Sequence, residues 1–167
     1  WLDDLAPNNP VTVKDGFIYP VAMYDHGEGR AITAGFAYNG RIAALRGKFI
    51  FGDIARGRLF AADVAALKAA DDGIPSTVAS IEEIQLFVRD ANGNKTDVSL
   101  QQLVDKGAGT TPGRVDLQLG WGLDGELYLM SRQDGMIRTL VPEPGGRTVR
   151  LDRRSDGRAT PHEPRTL

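Results

Sequence analysis

An all-β fold of antiparallel meanders is what this sequence predicts, and three features carry the expectation. The first is residues 115–141, three short β-prone runs joined by Asp124-Gly125 and Asp134-Gly135, ten residues apart. Asp-Gly supplies the positive φ that a tight hairpin turn needs, and apolar runs on both sides of it make the hairpin signal strong. The second is a four-strand set at 31–38, 48–54, 57–64 and 81–88, punctuated by Gly40, Gly47 and Arg56-Gly57. The third is the repetition itself: two successive meanders of short strands are what a β-propeller repeats around its axis, one blade at a time.

The elements follow in order. Residues 1–12, with two prolines and two asparagines, read as a lead-in. Residues 16–24 are apolar enough for a strand, with Pro20 placing it at an edge or a break in pairing. After the third strand of the first set, residues 65–77 carry Ala, Leu and Lys and predict a short helical turn, stopped by Gly73 and Pro75. The 90–95 segment, Asp-Ala-Asn-Gly-Asn-Lys, is a loop, and residues 99–104 form a brief amphipathic helix. Residues 115–141 then show three strands only. Their outer fourth strand must come from residues 148–151 or from an N-terminal part of a complete protein in a ring-closing pair. Residues 1–144 are thus the propeller portion and 145–167 a polar, disordered tail.

Composition narrows the function classes. The 167 residues are 41% hydrophobic, with no apolar run near the length of a membrane span. A net charge of −2 argues against a nucleic-acid surface, which is built from excess cations. The arginines near the end (Arg147, Arg150, Arg153, Arg154, Arg158 and Arg165) are mixed with Pro, Gly, Asp and Glu and read as a solvated terminus. Zero cysteines exclude disulfides and thiolate metal sites. No phosphate-binding glycine loop, nucleophile elbow or His/carboxylate cluster at metal-ligand spacing is present.

Two blocks carry a family resemblance. One is Tyr24 and His26, then Ala31, Ile32, Gly35, Tyr38 and Gly40, followed by Leu45, Gly47 and Phe51-Gly52-Asp53; the other is Asp124-Gly125-Glu126-Leu127-Tyr128. In order and spacing, over roughly residues 17–141, they resemble the C-terminal blades of the glucose/sorbosone dehydrogenase family, which includes aldose dehydrogenases dependent on pyrroloquinoline quinone (PQQ). The resemblance implies a six-bladed propeller, of which this chain holds about two four-stranded blades plus flanks, since a blade takes ~40–50 residues. It also implies a fragment whose partners include the remaining blades, PQQ and Ca²⁺ in the whole-length protein, a sugar substrate, and a periplasmic or extracellular location.

Candidate site residues are Tyr24, His26, Arg56 and Arg114. Tyr24 and His26 fall where the resemblance places a substrate-facing loop, and a phenol and an imidazole are equipped to hydrogen-bond sugar hydroxyls. The plainer reading is that His26 caps the Gly27-Glu28-Gly29 turn. Arg56 offers a fork for a carboxylate-rich ligand such as a quinone, set against a surface pair between Asp53 and Arg58 across the hairpin. Arg114 precedes the innermost strand of the last meander, where cofactor-binding relatives carry arginines. The sequence departs from the family pattern at Ala55, which replaces a lysine, and near Gln118, where a second arginine is missing. No catalytic residue is assigned: abstraction from a sugar C1 hydroxyl needs a base of near-neutral pKa, and neither His26 nor His162 matches the family's motif. The chain therefore reads as the C-terminal part of a sugar dehydrogenase-like propeller, with a non-catalytic propeller binding carbohydrate or a protein partner as the alternative.

Overall fold

Both Asp-Gly pairs turn the chain as hairpin chemistry requires, with Gly125 at φ 75° and Gly135 at φ 66°. A computed structural model describes residues 18–142, together with the backbone of 149–153. The strands are β1 (Ile32–Ala37), β2 (Lys48–Asp53), β3 (Leu59–Asp63), β4 (Glu82–Glu83), β5 (Leu86–Arg89), β6 (Lys95–Asp97), β7 (Leu117–Trp121), β8 (Leu127–Ser131), β9 (Met136–Pro142) and β10 (Val149–Arg153). The helices are α1 (Val64–Ala70) and α2 (Leu100–Ala108). They form two sheets, ordered β1-β2-β3-β4 and β6-β5-β10-β9-β8-β7. Pairing is antiparallel except where β10 lies parallel to β5. The fold is all-β, with two short helices as connectors.

Three expectations are corrected. Residues 18–24 of the expected strand at 16–24 form no strand, in keeping with a proline that removes a ladder donor. The single strand expected at 81–88 is two strands in two sheets. Glu82 and Glu83 pair with Ala61 and Phe60, Ile84 still donates to Leu59 O, and past Gln85 the chain crosses over to bring Leu86 and Phe87 beside Val149 and Arg150. Burial explains the crossing: Leu86 and Phe87 are 6% and 0% exposed, which an outer edge strand would not achieve. Finally, the second sheet has six strands, not four, because the β5–β6 hairpin is added to its outer side. Its fourth strand counted from β7 is β10, one of the two sources expected. β10 lies inside 145–167, so the sheet continues past residue 144; the rest of that tail, with His162, and the 1–17 lead-in lie outside the described residues.

Local chemistry fixes the helices. Asp63 caps α1 by accepting from the Ala65 and Ala66 amides at 2.8 and 3.3 Å. Ser99 and Gln102 close a capping box on α2, and Gly109 at φ 67° ends it, so the helix runs beyond the expected residue 104.

The main core lies between the sheets, with Ile50, Leu59 and Ala61 on one side and Leu117, Leu119, Leu129 and Leu140 on the other. The sheets also touch through backbone: Val115 N–H donates to Ala55 O at 2.7 Å and Leu117 N–H to Ile54 O at 2.9 Å. Gly52 makes this approach feasible, since a Cβ there would stand 2.6 Å from Leu117 Cδ2. A smaller cluster of Phe51, Phe60 and Ala62 lies on the far face of the first sheet, with Tyr24 and Ile81 packed against it. The result is a close joint that presents the turns of both sheets side by side.

A candidate ligand-binding face at one end of the two sheets

Register places four segments at one end of the molecule. β2 ends where β1 begins (Asp53 opposite Ile32), and β7 begins where β8 ends (Leu117 opposite Ser131). The 24–31 approach to β1, the 54–58 turn, the 112–116 approach to β7 and the 132–135 turn therefore gather there, joined by the Ala55–Val115 bond. Tyr24, His26, Arg56 and Arg114 all fall within these segments, so the structure brings the four expected residues to one end.

Asp53 organises the first half of this face. It is fully buried and accepts from the Tyr24 hydroxyl at 3.2 Å, the Ala31 amide at 2.9 Å, and the Arg30 and Arg56 amides. Burial pushes its carboxyl up, but the bonds from Arg30, Arg56, Ala31 and Tyr24 outweigh it and hold the group below its ordinary value. Tyr24 is driven the other way, by burial first and the adjacent Asp53 charge second. It stays protonated as a donor, with its ring 5.1 Å from that of Phe60.

The two plainer readings of this region are corrected. The 26–29 turn is capped by Asp25, whose Oδ1 accepts from the Gly27 and Glu28 amides at 2.7 and 3.1 Å, because an aspartate's short side chain reaches amides two and three residues on. His26 is simply exposed in that turn. Arg58 pairs with Glu83, not Asp53, through a fork at 2.6 and 2.9 Å, since Asp53 faces inward while Glu83 on β4 lies alongside. Arg56 is exposed and donates to Gly27 O at 3.1 Å, which ties the two turns together. A cleft of about 280 Å³ adjoins the outer rim of this face between Arg58, Gln85 and Gln102; it shares Arg56 but not Tyr24, His26 or Arg114.

Asp116 organises the second half, and sequence reasoning missed it. It is 7% exposed and sits at φ 51°, the only non-glycine at positive φ among the described residues. It accepts from Arg114 Nε, from Arg132 Nη2 at 3.0 Å and from Gln133 Nε2 at 2.5 Å. Burial raises its pKa and the Gln133, Arg132 and Arg114 bonds lower it, with a net shift downward. The available signal was Arg132-Gln133 standing directly before the Asp134-Gly135 turn, which places both at the same end as Arg114. Gln118 is exposed on β7 and takes no part in this cluster.

The opposite end is built differently. Glu126 of the Asp-Gly-Glu motif is 1% exposed and accepts from Tyr38 Oη at 2.7 Å and from the Arg41 amide and Nε at 2.8 Å each. Burial raises its pKa, and the Tyr38 and Arg41 bonds bring it below the ordinary value. The recognised motifs Tyr38-Asn-Gly40 and Asp124-Gly-Glu126 are thus two halves of a latch between the sheets.

Chemically, the face offers exposed guanidiniums, a phenol and an imidazole, with its buried carboxylates ionised and already hydrogen-bonded. Such carboxylates are poor general bases. Among the described residues no group of three His, Cys, Asp or Glu side chains could hold a metal ion, and no helix is long and apolar enough to cross a membrane. No family model, curated protein or solved structure matches the chain.

Proposed function

We propose that this chain forms two neighbouring blades of a glucose/sorbosone dehydrogenase-like β-propeller, and that it contributes a cationic binding face to a whole protein that oxidises a sugar C1 hydroxyl outside the cytoplasm. The observation that carries the reading is the gathering of Tyr24, His26, Arg56 and Arg114, from three separate segments, at the turn end of both sheets. In a propeller this is where ligand-binding loops collect.

A carboxylated quinone fits the charge of this face, and Arg56 and Arg114 would hold its carboxylates. When bound, such a cofactor takes up the two electrons removed from the sugar. Ala55 and Gln118 leave two cations fewer than the family pattern, so binding is weaker than in relatives that keep them. On this reading Ca²⁺ and the general base are assigned to other parts of the whole protein. Tyr24 contributes a fixed edge to the site through Asp53.

A second reading, a non-catalytic propeller binding carbohydrate or a protein partner, is favoured by Ala55 and Gln118 specifically. Calorimetric titration of PQQ with Ca²⁺ into the protein separates the two. The expected result is binding that weakens about tenfold or more in Arg56→Gln and Arg114→Gln, as loss of one charge-assisted bond implies. Absent binding, or binding indifferent to both changes, overturns the quinone reading; retention on immobilised glycans in that case supports the second.

A further inference from the structure

We infer that Arg132, with Arg114, forms a binding site for a small carboxylate-bearing molecule, and that Asp116 and Gln133 position the two guanidinium forks for it. The site rests on reading this end of the sheets as a binding face, though not on a quinone as its occupant.

Charge balance is the first argument. Two guanidiniums share the single carboxylate of Asp116, so the cluster keeps a net positive charge. The latch at the other end pairs one guanidinium with one carboxylate and is neutral. Exposure is the second. The Arg114 and Arg132 side chains are 54% and 84% accessible while that of Asp116 is 9%, so the anchor is inside and the cations point out.

Donor accounting is the third. Arg114 uses Nε and Arg132 uses Nη2 on Asp116, leaving the Nη pair of Arg114 and the Nε and Nη1 groups of Arg132 without a partner among the described residues. A guanidinium with a free edge matches a carboxylate bidentately, which an ammonium does not. Backbone conformation is the fourth. Asp116 adopts a left-handed conformation, which aspartate tolerates better than most L-residues, and the three side chains that donate to its carboxylate hold it there. Here it aims the side chain at two turns at once, the one before β7 and the one after β8. Gln133 takes a further lone pair of Asp116 and keeps that carboxylate from turning.

The test is calorimetric titration of citrate into the full chain at low ionic strength, where screening is weakest. Wild type is expected to bind, Arg132→Gln and Arg114→Gln to weaken binding about tenfold each, and Arg46→Gln at the opposite end to change nothing. Asp116→Asn is the decisive variant, because asparagine tolerates the left-handed conformation while releasing both forks. Positioning predicts weaker citrate binding even though the face becomes more positive. Tighter binding would show that Asp116 only competes with the ligand and would overturn its role. Should Asp116→Asn melt early, Asp116→Gly keeps the backbone conformation and asks the same question. Citrate binding that ignores Arg132→Gln, or no citrate binding by folded wild type, overturns the site. Arg132-dependent citrate binding without PQQ binding would leave the site standing and remove the quinone reading.

Discussion

The two ends of the paired sheets use buried carboxylates for opposite purposes. At the latch end Glu126 gathers the Tyr38 hydroxyl, the Arg41 amide and the Arg41 Nε, one guanidinium to one carboxylate, with Trp121 and Phe36 in edge contact, ring centroids 5.5 Å apart. At the turn end Asp53 is satisfied by the Tyr24 hydroxyl and three backbone amides, while Asp116 holds two exposed guanidiniums, Arg114 and Arg132, whose remaining N–H groups point outward. The lesson is that burial of a carboxylate does not mark a reactive acid. What separates the positioning carboxylate from the structural one is that Asp116 holds two guanidiniums and Glu126 one, so only the first leaves cationic charge over.

The largest expected effect tests the latch. Glu126→Ala removes one acceptor from three donors and leaves the Tyr38 hydroxyl buried without a strong partner, so the urea midpoint should fall by an amount equal to about 3 kcal/mol. A drop under about 1 kcal/mol would mean the apolar core and the Val115–Ala55 and Leu117–Ile54 backbone bonds hold the sheets without the latch.

The two hairpin turns sharpen the contrast at the level of backbone. Gly125 lies at the latch end, where an added Cβ would meet the Asn39 backbone at 3.1 Å; Gly135 lies at the turn end with open space around it. Gly135→Val should therefore cost only the left-handed strain, about 1–2 kcal/mol, and Gly125→Val measurably more. Equal costs in denaturant melts would show that the Asn39 approach is not tight.

Acid should weaken both ends together. Asp53, Asp116 and Glu126 all have lowered pKa values, so each adds stability that is fully present above its ordinary value (3.8, 3.8 and 4.5) and is lost as pH falls through the lower folded value. Unfolding midpoints should be flat from pH 7 to about 5 and fall below about 4. Asp53→Asn should flatten that acid limb, and a limb unchanged by it would remove Asp53 from the account. The smallest effect belongs to His26→Ala: exposed in its turn, it should shift stability by less than about 0.5 kcal/mol. Any change it makes in ligand binding therefore reports the face itself.

Sequence alone determined what depends on neighbours along the chain. The Asp-Gly turns at 124–125 and 134–135, the strands around Phe49–Phe51 and Leu127–Leu129, and the α2 segment were legible because turn chemistry and side-chain alternation act within a few residues. The motif residues Tyr38, Asp53 and Glu126 were visible as a pattern, but their work was not. That the first joins the third across 88 residues, while Asp53 gathers the 24–31 approach, is decided by which buried donors the packed sheets bring within reach. The same holds for the break at Ile84–Gln85, where the 81–88 segment suited one strand locally and the core took its second half into another sheet. Arg132 and Asp116 lie furthest beyond the sequence. A surface arginine in a turn and an aspartate before a strand carry no local signal of each other, and only a left-handed residue between two turns makes them partners.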